Sequence, residues 1–138
     1  MKKELDIKEY LIKNDIKPSL QRIKIYDYLV KHRNHPTVEM IYHDLIDEMQ
    51  TLSKTTIYNT LKLFVEKQVV SMITIDEHEA RFDADTKSHG HFKCTKCGTV
   101  YDIDLGKIDM KLQNIKSFDV HETQVYLKGI CDKCKKRK

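Results

Sequence analysis

Residues that break or loosen structure are scarce: the chain has four glycines and two prolines in 138 positions. That scarcity argues against long disordered segments. No apolar run approaches the roughly 20 residues of a membrane helix. The opening MKKELDIKEYL also lacks the apolar stretch and cleavage site of a secretory signal. The expectation is a soluble, cytoplasmic chain with no membrane partner. Charge of one sign is barely in excess, at 25 Lys+Arg against 21 Asp+Glu. Residues 1–80 hold 12 basic and 13 acidic residues, while 81–138 hold 13 and 8, with five of those basic residues in 133–138. Bulk charge therefore does not mark the first half as a nucleic-acid binder. Such a role must rest on local placement of Lys and Arg against phosphates. There are only four cysteines, in two CxxC pairs. In a reducing compartment such pairs read as metal ligands rather than disulfides.

Apolar residues make up 40% of the chain and charged residues 33%, enough for a core under a solvated surface. The length allows one ordinary domain or two small ones. Apolar periodicity predicts a helix over 5–14 (Leu5, Ile7, Tyr10, Leu11) and another over 19–31 (Ile23, Tyr26, Leu29, Val30). A third opens at Thr37, with Val38, Ile41, Tyr42, Leu45 and Ile46 inward, and a fourth runs from Ser53 to about 67. VVSMITI (69–75) and ARFDA (80–84) read as strands joined by the turn DEHE. Helices followed by such a hairpin make a winged helix-turn-helix, with the fourth helix in the recognition position. After DTKSHG, HFKC (91–94) and TVYDI (99–103) are short strands around a CxxCG knuckle. A helix over 106–116 and a strand over 119–131 follow. The expected fold is mixed α/β (α+β): a winged-helix domain over 1–83, then a small α/β domain over 84–138. About 50 residues is small enough for the second domain to need a metal and a partner.

Cys94, Cys97, Cys131 and Cys134 offer four thiolates to one tetrahedral ion, a closed structural zinc site. A pair of redox dithiols is the alternative, but it would need exposed cysteines at helix starts. A second set is harder in character. His89 and His91 face one side of a strand, Asp83 ends the wing, Asp102 follows the first knuckle, and His35 precedes the third helix. Imidazole and carboxylate ligands suit iron, manganese or zinc. The fourth helix starts SKTTIYNTL, where Thr55 and its neighbours can meet phosphates and Tyr58 and Asn59 can reach bases. Lys54, Lys62 and Arg22 are candidate phosphate contacts.

The pieces SLQR, HPTVEMIY, TTIYNTL, RFD, HGHFKCTKCGTVYDID and YLKGICDKC resemble the ferric uptake regulator family across nearly the whole chain. The resemblance implies a winged-helix domain, a dimerisation domain, and a homodimer that binds a palindromic double-stranded DNA operator when a divalent metal is present. Asp83, Asp102 and Asn59 make the chain resemble the peroxide-responsive branch more than the iron-uptake branch. That branch implies Fe(II) or Mn(II) on His35, Asp83, His89, His91 and Asp102, structural Zn(II) on the four cysteines, and iron-dependent oxidation of His35 and His89. The further metal site of many iron regulators would fall at Ser88, Gly90 and Thr123, which lack its ligands. His121 is two residues early for it and is expected to face solvent.

Three other readings remain open at this level. One is a repressor sensing iron or manganese availability without peroxide chemistry. A second is a metal-dependent hydrolase, for which no general base stands beside an open metal position. A third is a protein-interaction module that never meets DNA.

Overall fold

The computed structural model describes residues 2–32, 35–75, 79–86, 90–104, 113–120 and 123–137, with backbone only for 2–5 and 113. The chain forms two compact units, Met1–Thr86 and Lys87–Lys138, a break slightly beyond the one expected after Asp83. No helix among the described residues is long and apolar enough to cross a membrane.

The first unit runs α1 (Lys2–Lys13), α2 (Leu20–Lys31), α3 (Val38–Leu45), α4 (Lys54–Glu66), β1 (Ser71–Ile73) and β2 (Arg81–Asp83). Hydroxyls start three of the helices. Ser19, Thr37 and Ser53 accept hydrogen bonds from the backbone N–H of Arg22, Met40 and Thr56 at 3.2, 3.2 and 3.0 Å. α4 buries Ile57, Thr60, Leu61 and Phe64, one stripe at helical spacing. Phe64 meets Tyr26 edge-on at 5.7 Å inside a core that also holds Leu11, Ile25, Leu29, Ile41 and Phe82. Tyr10 and Val30, expected inward, are 39% and 40% exposed. They lie at the edges of their helices' apolar stripes.

The wing is shorter than the apolar run 69–75 suggests. Gln68 takes the left-handed conformation (φ 62°), and Val69 N–H then bonds back to Phe64 O at 3.0 Å, closing α4. Val69 and Val70 are consumed in the core, so pairing begins only at Ser71. The antiparallel register is Ser71↔Asp83, Met72↔Phe82 and Ile73↔Arg81.

The second unit contains β3 (Gly90–Cys94), β4 (Val100–Ile103), a single 3₁₀ turn (Gln113–Ile115), β5 (Tyr126–Gly129) and α5 (Asp132–Lys136). Its sheet order is β4-β3-β5, with β3 antiparallel to β4 and parallel to β5. The helix expected over 106–116 falls largely outside the described residues. The strand expected over 119–131 narrows to Tyr126–Gly129. α5 was not expected from the sequence. Lys135 N–H bonds to Cys131 O at 3.0 Å, so a helical turn carries Cys134 back beside Cys131.

Candidate metal centres and nucleic-acid interface

The four cysteines converge because of the parallel β3–β5 register. Cys94 ends β3 opposite Gly129, so Cys131 follows just beyond its level. Thr95 ties the strand ends, donating to Gly129 O from its backbone N–H at 2.8 Å and from its hydroxyl at 3.2 Å. Gly98, with φ 78°, makes the tight return of the knuckle, and its N–H bonds to Cys94 O at 2.9 Å. All four sulfurs lie within 4.8 Å of one another, with Cys97 Sγ and Cys131 Sγ 3.9 Å apart. Sulfurs bound about 2.3 Å from a tetrahedral ion stand about 3.8 Å apart. The cage therefore fits zinc.

The surroundings favour thiolates. Backbone N–H groups of Cys131 and Cys97 each reach Cys94 Sγ at 3.4 Å, and these bonds pull the Cys94 thiol down to about 6. Cys131 is also lowered, first by the backbone N–H of Cys134 and then by the Tyr101 hydroxyl. Cys134 moves the opposite way, to about 12, because it hydrogen-bonds Cys131 and its other sulfur neighbours. A divalent ion displaces the protons that remain on such crowded sulfurs. Thr99 Oγ1 lies 3.3 Å from Cys97 Sγ. Neither Thr99 nor Tyr101 was expected at this site from the sequence. Their signal was proximity to the knuckle, since Tyr101 sits on β4 beside the strand that carries Cys94.

Each unit also pairs a buried imidazole with a carboxylate. In the first, His35 Nε2 stands 3.5 Å from Asp83 Oδ2, and both side chains are buried (3% and 4% exposed). His35 has φ 56°, a conformation disfavoured for a residue with a side chain and costing about 1–3 kcal/mol. Asp83 Oδ1 accepts the Asp85 N–H at 3.0 Å, which fixes the carboxylate. In the second unit, His91 and Asp102 face each other across β3 and β4, with Nε2 and Oδ1 3.4 Å apart. A nitrogen and an oxygen bound at about 2.1 Å to one ion at a tetrahedral angle are about 3.4 Å apart. Each pair suits a cation with mixed N/O ligands. His89 and His121 lie outside the described residues.

On α4, Lys54, Thr55, Tyr58, Asn59 and Lys62 are exposed, opposite the buried stripe. A polar groove of about 580 Å³ runs between the start of α2 and this helix, lined by Lys17, Ser19, Gln21, Arg22, Thr56 and Asn59 among others. Arg22 Nη1 donates to Lys17 O at 2.6 Å, holding its guanidinium at the groove. Lys54 is engaged within the unit. Its ammonium lies 2.8 Å from Glu39 and 5.3 Å from the centre of the Tyr42 ring, tying α4 to α3. Tyr58 stands between two hollows on either side of Phe82. One contains Lys62 and Met72, the other Thr37 and Glu79.

Residues 13–129 match the model of the Ferric uptake regulator family. The chain is 33% identical over 128 residues to the peroxide-responsive repressor PerR of Staphylococcus epidermidis, covering 91% of this chain and 85% of that protein. The Vibrio cholerae ferric uptake regulator has a similar structure, with TM-score 0.70 and 25% identity over 90% of this chain and 98% of that one. PerR from Streptococcus pyogenes, whose structure addresses peroxide sensing and gene regulation, gives TM-score 0.54 and 26% identity over 96% and 92%.

Proposed function

Because the chain belongs to the ferric uptake regulator family, we propose that it is a metal-dependent repressor that responds to peroxide through histidine oxidation. The observation that carries this reading is the separation of two metal chemistries: a closed four-thiolate cage, and an imidazole–carboxylate pair on each unit. Zinc in the cage has a structural role. Fe(II) or Mn(II) is the regulatory ion, held by His35 and Asp83 of the first unit with His89, His91 and Asp102 of the second. Ligands drawn from both units fix the angle between them, and operator DNA selects that fixed form. The protein acts as a homodimer on a palindrome. The exposed Phe118, Val120, Leu127 and Ile130 of the second unit supply apolar surface for self-association.

The α4 face reads the major groove, with Tyr58 and Asn59 toward bases and Thr55, Lys62 and Arg22 toward phosphates. Lys54 joins them only by giving up Glu39. Asn59→Ala should cost about 1–3 kcal/mol of discrimination at one base position. Affinity profiling across an operator library checks this, and an unchanged base preference removes Asn59 from recognition.

When bound, Fe(II) would pass an electron to peroxide and recover it from the ring, so that the imidazole is the net reductant. His35 and His89 are the proposed targets. Net, peroxide delivers one oxygen atom to an imidazole ring carbon and leaves as water. The altered ring is a poorer ligand, so the fixed angle and operator affinity are lost together. Mn(II) suits the same ligands but supports this reaction poorly. The test exposes iron- and manganese-loaded protein to equal low peroxide, then measures operator binding and peptide masses. One added oxygen on the His35 or His89 peptide, in the iron form only and with loss of binding, is expected. Equal resistance of both forms would instead assign the chain to sensing iron or manganese availability.

A further inference from the structure

Three consecutive residues of β2 hold the segment that carries His35. Arg81 Nη1 donates to His35 O at 3.2 Å, Phe82 N–H donates to Pro36 O at 3.0 Å, and Asp83 Oδ2 lies 3.5 Å from His35 Nε2. β1 pairs with β2, and the Phe82 N–H separately ties β2 to residue 36. Arg81 and Asp83 are two apart on a strand, so their side chains share a face, and that face meets His35 at both its carbonyl and its imidazole.

His35 needs such support. It combines φ 56° with a following proline, and each restricts a residue that has a side chain. The carbonyl and the Cα–Cβ bond of His35 leave the same Cα. A guanidinium that fixes the carbonyl therefore also fixes the direction in which the side chain leaves the backbone, from which χ1 and χ2 aim the ring. Arginine suits the task because it stays charged at any working pH and presents its donors on a rigid plane.

We propose that Arg81 is a positioning residue for the regulatory metal, holding His35 in the left-handed conformation that presents its imidazole beside Asp83. The proposal rests on the reading of His35 and Asp83 as ligands. Partners that orient a metal ligand typically contribute about 10–100-fold in affinity. Mn(II) titration calorimetry on the zinc-loaded full chain tests it. Arg81→Met should weaken Mn(II) binding about tenfold or more, with zinc content and thermal midpoint unchanged, and Arg81→Lys should recover part of the loss. In a His35→Ala background, Arg81→Met should have no further effect, because the two residues act as a unit. If the methionine variant does not fold, Arg81→Gln takes its place. Wild-type Mn(II) affinity in the Arg81 variant, with His35→Ala impaired, overturns the inference alone. Wild-type Mn(II) affinity in both His35→Ala and Asp83→Ala overturns the ligand reading beneath it. Reduced operator affinity at saturating Mn(II), with Mn(II) binding intact, would make Arg81 a wing contact to DNA and likewise overturn the proposal.

Discussion

Cys94→Ser should abolish zinc binding, unfold the second unit and remove self-association, while the helices of the first unit persist. The reason lies in what each unit buries. The first has a core of its own, from Ile7 and Leu11 through Phe64 to Phe82. Among the described residues of the second, the buried apolar side chains are Cys94, Val100 and Cys131, and two of those three belong to the four-thiolate cage. So small a core cannot offset the entropy of ordering the chain. Structural zinc contributes about 10–16 kcal/mol in small domains, which is larger than the whole stability of many domains. Serine also leaves a hydroxyl where two backbone N–H groups converge on Cys94 Sγ. Metal analysis, sedimentation and thermal melts check the outcome. A zinc-free variant that melts and self-associates like the wild type would remove the structural role of the cage.

His35→Ala should act on a different property. Zinc content and self-association should be unchanged, while operator affinity at saturating Mn(II) falls about 5–150-fold, the usual range of a coupling between two sites. His35 and Asp83 are the regulatory ligands proposed from the first unit, and they are its buried imidazole–carboxylate pair. Losing the imidazole leaves the carboxylate as that unit's hold on the ion. With one first-unit ligand in place of two, an ion bound by His91 and Asp102 should couple more weakly to the first unit. Fluorescence anisotropy on a labelled operator reads the change. Wild-type affinity in this variant would dissociate His35 from gating.

The winged-helix order, the hydroxyl caps at Thr37 and Ser53, and the outward face of α4 were all legible in sequence, because each depends on local chemistry and helical period. The CxxC spacing exposed the thiolate cage for the same reason: ligand type and interval are written along the chain. Arg81 was not legible, although Asp83 two residues later was named. Its role depends on a left-handed backbone at His35 and on a carbonyl 46 positions earlier in the chain. Tyr101 was missed because strand pairing, not spacing, brings it to Cys131. Lys54 looked like a free phosphate contact because sequence does not reveal that Glu39 and Tyr42 come to meet it. The wing was overestimated because an apolar run does not distinguish strand pairing from the burial of Val69 and Val70 beneath α4.

The central claim is that regulatory metal and operator DNA are coupled through the same protein, and linkage makes that claim quantitative. The decisive measurement is operator affinity of the wild-type chain with Mn(II) and with a chelator weak enough to spare the thiolate zinc, together with Mn(II) affinity with and without operator. Mn(II) should strengthen operator binding, and operator should strengthen Mn(II) binding by the same factor. Operator affinity that ignores Mn(II), while Mn(II) still binds His35 and Asp83, would contradict it.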